Sequence, residues 1–200
     1  MNKWKKKVKQ IKKGKQSKMK RTSDFDKTKL TQVANNKSVV AVYVDSFPIE
    51  MVKFRFAEFE NAQNSVSIYL SFEDTLRIAE DVKSGKIFKD IQGSSYPIQV
   101  THGGTPAARA NRADHKAEAR LMTFGMQKDK IYVNAQSGPG KELQTGFIQP
   151  DGAPENKISV GMSIEDFRGM FIYTAAAINA YLPAIVRQLV TAAEQARNKN

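Results

Sequence analysis

The 200-residue chain contains no cysteine. That excludes a disulfide framework and any thiolate metal site, and it fits a reducing compartment. Histidine is scarce: His102 and His115 are the only two, and no carboxylate spacing around them resembles a metal site. No run of eighteen apolar residues is free of polar interruption, so no membrane span is expected. The N-terminus has no apolar core behind its charges, so no secretory signal is expected either. Acid is missing altogether from residues 1–21.

That last absence organises the charge. Residues 1–21 sum to +11 and the whole chain to +12, which leaves +1 for residues 22–200. A basic arm on a near-neutral body points to a polyanion partner, the arm supplying long-range attraction. The plainer alternative is a solubilising or targeting tail, although a mitochondrial presequence would favour Arg and Ser over Lys. Trp4, Val8 and Ile11 could also line one side of a basic helix suited to an anionic surface. The Lys and Asn bias fits a microbial, phage or mobile-element source, with a cytoplasmic, nucleoid-associated location.

What is present is a body with 40% apolar content, enough for a sizeable core. Residues 1–37 read as a flexible arm and 38–200 as one domain. Ser38–Asp45 is a β-branched strand. Ile49–Phe59 alternates, with Val52, Phe54 and Phe56 on one face and Lys53 and Arg55 on the other. A turn over 61–64 leads into a strand over 65–70, then a helix from Phe72 to about Ser84 closed by Gly85. Residues 86–92 are read as a further turn of helix or a loop. Tyr96–Thr101 is a short strand and 102–116 a mobile, basic-leaning loop. Residues 117–126 and 130–135 form a hairpin, Ser137–Gly140 a turn, Glu142–Ile148 a strand and 150–156 a loop.

The second half closes on Lys157–Leu189, a strand running into a long apolar helix. Ser163 caps it and Asp166 completes a capping box. Phe167, Met170, Phe171, Thr174, Ile178, Tyr181 and Ile185 then recur at helical spacing, while Ala175–Ala177 and Ala180 keep the other side small. A helix apolar most of the way round is buried against its own sheet, a partner subunit, or both. Pro183 is expected to break or kink it. Ser65–Gly85 aligns without gaps on Lys157–Ala177, matching Ser67 to Ser159, Ser71 to Ser163, Glu73 to Glu165 and Asp74 to Asp166, as a duplicated unit would. The class is α+β, with two ββββα-type repeats over about 38–92 and 96–200.

Catalytic signals are poor. His102-Gly103-Gly104 has no Gly-x-Ser-x-Gly elbow to accompany it. The acid pairs Glu73-Asp74 and Glu165-Asp166 are explained by capping. Gly138-Pro139-Gly140-Lys141 lacks the spacing of a phosphate loop. No active site is read, no cofactor is expected, and the chain is taken as not an enzyme. Binding signals are better, because aromatics and cations interleave at Lys53–Phe56 and across Arg120, Phe124, Lys128, Lys130 and Tyr132. Single strands bind where bases stack on aromatics and cations track phosphates. Lys5, Lys6, Lys7, Lys12, Lys13 and Lys15 of the arm, with Lys53, Arg55, Arg120, Lys128 and Lys130, are the candidate phosphate contacts. Tyr69, Tyr96 and Tyr132 should keep one wet edge, and Tyr69 and Tyr132 are the candidate stacking residues. The blander alternative sets the phenylalanines in the core and the cations in solvent.

Ile158–Leu189, with Ser163, Glu165, Phe167, Ile178, Asn179, Tyr181, Leu182 and Pro183, resembles the end of the second repeat of the Whirly family of single-stranded-DNA-binding proteins. Ser65–Gly85 is similar to the strand-helix that closes that family's first repeat. The family's Lys-Gly-Lys-Ala strand motif is absent, since Lys13-Gly14-Lys15 lies in the arm. The resemblance implies two packed sheets crossing one another, a helix-mediated homotetramer and single-stranded nucleic acid lying across strand edges. Related guide-RNA-binding proteins share the fold, so DNA and RNA both remain open. The expected function is sequence-tolerant binding of single-stranded nucleic acid, DNA first, in replication, recombination or strand protection. The rivals are an oligomeric nucleoprotein component whose arm alone binds nucleic acid, and an accessory subunit recruiting an enzyme through 102–116.

Overall fold

The computed structural model describes residues 27–61 and 63–197. Two antiparallel sheets and three helices make an α+β fold. The first sheet takes strands in chain order: β1 (Lys29–Ala34), β2 (Ser38–Tyr43), β3 (Met51–Glu58) and β4 (Ser65–Ser71). Two helices follow, α1 (Phe72–Ser84) and α2 (Lys86–Gly93). The second sheet orders β5 (Ile98–Thr105), β6 (Ala117–Gln127), β7 (Lys130–Glu142) and β8 (Ile148–Pro150), with β9 (Asn156–Met162) also on β7. The last helix, α3, spans Ile164–Arg197.

Alternation decides which face is buried. In the first sheet, register sets Val40, Phe56 and Val66 in one cross-strand row and Val42, Phe54 and Ile68 in the next. All six are buried. The second sheet answers with Met122, Ala135 and Ile158, then Phe124, Val133 and Val160. Burying each large side chain contributes about 1.5–3 kcal/mol. β9 touches all four strands of the first sheet, so the sheets cross, and Ser38 Oγ donates to the Ser159 carbonyl at 2.7 Å where they meet.

Helix α3 closes the open side of this sandwich. Its Phe171 ring lies 5.7 Å from Phe54 of the first sheet and 5.7 Å from Phe124 of the second. Phe167 stands 5.0 Å from Phe124, edge to face. Further along, Tyr181 packs 5.2 Å from Phe47 of a 3-10 turn over Phe47–Ile49, and Phe47 lies 4.9 Å from Phe72 of α1. α1 is capped by Ser71 and ended by Gly85 in the left-handed region (φ 79°), a conformation that suits glycine.

Several expectations are corrected. The arm does not run to residue 37: Lys29–Ala34 is a strand paired with β2, an edge whose exposed residues alternate with half-buried ones. The loop at 102–116 starts later, since β5 runs to Thr105 in register with β6. Ser137–Gly140 is not a turn but part of β7, paired with Arg120 to Ala117. Pro139 fits there because its carbonyl accepts from Asp151 N–H at 2.9 Å. A strand residue's N–H and C=O share one edge, so the missing N–H faces the 151 loop and not β6. The strand expected over 142–148 shrinks to β8 after a turn. Residues 86–93 are a helix.

Pro183 does not end α3, which runs on for 34 residues in all. Among the described residues the halves do not match element for element: four strands and two α-helices precede residue 94, five strands and one α-helix follow it. By length and composition, Ile164–Gln188 is apolar enough to cross a membrane, with a mean hydropathy of 1.5. Charges lie only near its ends, at Glu165, Asp166, Arg168 and Arg187, and the interruptions between, Thr174 and Asn179 among them, are uncharged.

Candidate nucleic-acid interface

Where the sheets cross, a cleft of about 390 Å³ opens between β4, the start of α1, the far ends of β5 and β6, and the turn before β8. Tyr69 of β4 and Arg120 of β6 both line it, with Phe147 and the backbone of Gly103 and Gly104. Tyr69 is 39% exposed and Phe147 36%. Alternation puts Tyr69 on the outward face of β4, between the buried Ile68 and Leu70. Arg120 sits opposite Gly103 and Ser137 in register.

Local chemistry explains this wall. A Cβ at Gly104 would collide with the Glu118 carbonyl, so β5 can approach β6 this closely only with glycine there. Arg120 Nη2 donates to Glu118 Oε2 at 2.6 Å, and both side chains are about three-quarters buried. The guanidinium is thereby oriented, with further N–H donors in its fork for a ligand. Asp74 lines the cleft as well. Burial pushes its carboxyl up, but hydrogen bonds from Ser71 and Arg77 outweigh that and leave its pKa below the ordinary value.

The other expected contacts lie elsewhere. Lys53 is buried on the outward face of the first sheet, its Nζ 3.1 Å from Asp45 Oδ2 and 5.5 Å from the centre of the Tyr43 ring. Arg55 shares that face, half-buried between Ala41 and Ser67. Lys128 occupies the turn after β6 with a left-handed φ of 57°, and exposed Lys130 opens β7. Tyr132 is half-buried in a row with Gly125 and Gly161, its ring filling the space a Cβ on Gly161 would need. Lys130 lines a shallow groove of about 540 Å³ with Asn35, Lys37 and Ser163. From Arg120 to Lys128 is eight strand residues, about 27 Å. The structure thus brings Tyr69 and Arg120 together, gathers Lys128, Lys130 and Tyr132 at the other end of the hairpin, and sets Lys53 and Arg55 apart from both. Lys5, Lys6, Lys7, Lys12, Lys13, Lys15, and with them Trp4, Val8 and Ile11, lie outside the described residues.

Sequence reasoning missed Phe147 and the Gly103-Gly104 wall. Phe147 sits between Gly146 and Ile148 at the end of a short turn, with no periodicity to mark it. The glycine pair was read as loop, and only its pairing with β6 reveals a strand. Tyr96, expected to keep a wet edge, is 81% exposed. Among the described residues no three His, Asp or Glu side chains converge as a metal site would require. Compared with models of known families and with curated proteins, the chain matches none.

Proposed function

We propose that this protein binds single-stranded nucleic acid, DNA first, without sequence preference, in replication, recombination or strand protection, as a Whirly-like fold would. The observation that carries the reading is the cleft that exposed Tyr69 and Phe147 line together with Arg120. Aromatic faces accept any base by stacking, at about 1–3 kcal/mol per base, and a guanidinium takes the phosphate between them. The duplex is too wide and too stiff to present unstacked bases there, so the cleft selects single strands. Two crossed antiparallel sheets support the Whirly-like reading, and the +11 charge of residues 1–21 supports attraction of a polyanion over distance. No step of this reading requires a cofactor or a reaction.

The test is fluorescence anisotropy with single- and double-stranded oligonucleotides across a salt series. The intact chain, Tyr69→Ala, Arg120→Ala and a variant lacking residues 1–21 are compared. The reading expects single-strand preference to survive loss of the arm and to fall in both cleft variants. The second reading, a nucleoprotein component whose arm alone binds, is favoured by the +1 balance of residues 22–200. It expects all binding to vanish with the arm and the cleft variants to bind like the intact chain.

A further inference from the structure

The cleft shared by Tyr69 and Arg120 also contains a carboxylate, which a groove built only for phosphate would exclude. Among the described residues lining it, two are charged: Arg120 of β6 and Asp74 in the first turn of α1. Capping accounts for the residue type, since α3 starts on the same box and Asp166 accepts from Ser163 Oγ at the same 2.8 Å. It does not account for the surroundings. Asp166 lines a groove with Lys37 and Lys130, where a carboxylate meets cations. Asp74 lines a cleft with two exposed aromatic side chains and an arginine that already holds its own carboxylate, Glu118, at 2.6 Å.

Asp74 has room for another donor. Ser71 Oγ donates to its Oδ2 at 2.8 Å and Arg77 Nη2 to its Oδ1 at 3.1 Å. Each carboxylate oxygen has about two acceptor positions, and 45% of the side chain is exposed. Burial raises its pKa, but the bonds from Ser71 and Arg77 outweigh that, so it is ionised at neutral pH. Such a group repels a phosphate and accepts from a hydroxyl. A nucleotide inside a strand carries phosphate on both sides; with one held on Arg120, the other shares the cleft with Asp74. A nucleotide at an end carries one phosphate and one hydroxyl. Polymerisation and hydrolytic scission both leave that hydroxyl on the 3′ side. The cleft, about 390 Å³, is near the small end of ligand pockets, about 300–1,000 Å³, and suits one nucleotide better than several.

We infer that the cleft captures the 3′ end of a single strand. The terminal base stacks in the cleft, the phosphate on its 5′ side sits on Arg120, and the terminal 3′-hydroxyl donates to Asp74. This rests on the reading of the cleft as a single-strand site and adds an end and a polarity to it. The 3′-hydroxyl is common to DNA and RNA, so the capture does not choose between them. A strand passing through the cleft by its interior is the competing arrangement.

The test is fluorescence anisotropy of the full chain with three single-stranded DNA probes of one sequence. One ends in a 3′-hydroxyl, one in a 3′-phosphate, and the third is a closed circle. The inference expects the 3′-hydroxyl strand to bind at least about tenfold tighter than either of the others. Attraction by charge alone favours the 3′-phosphate strand, so the expected order runs against non-specific binding. Asp74→Asn should erase the preference over the 3′-phosphate strand. Asp166→Asn, which alters the matching cap on α3, should keep it; circular dichroism checks that both variants are folded. Equal affinity for all three probes, with Tyr69→Ala weakening each, overturns end capture in favour of a strand passing through. A preference that Asp74→Asn leaves intact overturns the assignment of the hydroxyl to Asp74. Binding that neither Tyr69→Ala nor Arg120→Ala changes overturns the single-strand reading of the cleft, and the capture with it.

Discussion

Lys53 Nζ lies 3.1 Å from Asp45 Oδ2, with only 10% of the lysine side chain exposed. A cation set so deep is held by its partners and is not waiting for phosphate. Asp45→Asn removes the charge from one side of the pair and should lower stability by about 1–2 kcal/mol. Urea denaturation followed by circular dichroism measures it. Lys53→Met should leave the salt dependence of single-strand binding as it is, whereas a lysine that contacts phosphate would reduce the slope by about one.

Arg120 and Tyr69 divide the work of the cleft differently. Arg120→Ala should weaken single-strand binding and flatten its salt dependence by about one unit of slope, as loss of one phosphate contact does. Tyr69→Ala should cost about 1–3 kcal/mol with the slope unchanged, because stacking releases no counterions. Anisotropy titrations at four or five salt concentrations separate the two. Equal slopes for both variants would remove the cation from the site.

Phe171 bridges the sheets, at 5.7 Å from both Phe54 and Phe124. Phe171→Ala should cost about 3–5 kcal/mol, since neither sheet can collapse into the space without moving the other. Phe171→Leu keeps most of the volume and should cost less. Chemical denaturation of both variants ranks them, and near-equal values would mean that the helix is not what joins the sheets.

The parts of this fold that were legible are those where side-chain period and burial coincide. Val52, Phe54 and Phe56 alternate, and all three are buried. Ser163 and Asp166 announce the start of α3, and the hydroxyl does donate to the carboxylate at 2.8 Å, as Ser71 does to Asp74. Strand β1 was hidden because Lys29, Thr31 and Gln32 are polar on an edge that is half wet. The Ser137–Gly140 stretch was hidden because glycine and proline normally mark turns. Here Gly138 is needed for the close approach of Pro154, whose Cα would lie 3.0 Å from an added Cβ. The cleft was legible only in fragments. Tyr69 and Arg120 stand 51 positions apart, and nothing but the crossing of two sheets brings them to one wall.

Arg112 ties the loop after β5 to the loop before β9. Its Nη1 and Nη2 each lie 2.7 Å from a Glu155 oxygen, and its Nε and Nη2 reach Asp114 at 2.9 and 2.8 Å. Lys116 adds a bond to Asp151 at 2.8 Å. The hydrogen bond from Arg112 holds the Asp114 carboxyl down at about 2 and Glu155 below its ordinary value, and that from Lys116 lowers Asp151. The same bonds push Arg112 and Lys116 further up. Folding lowers these carboxyl pKa values, so the clasp contributes fully above about pH 4 and loses that contribution as pH falls toward the folded values. Amide hydrogen exchange over residues 106–116 and 151–155 should therefore show constant relative protection between about pH 5 and 8, and a selective loss below about pH 4, once corrected for the intrinsic rate. Arg112→Ala should bring the low-pH exchange pattern to neutral pH while leaving the Phe124 region protected. Protection that stays level down to about pH 2 would mean the loops are held by their backbone bonds and not by the arginine.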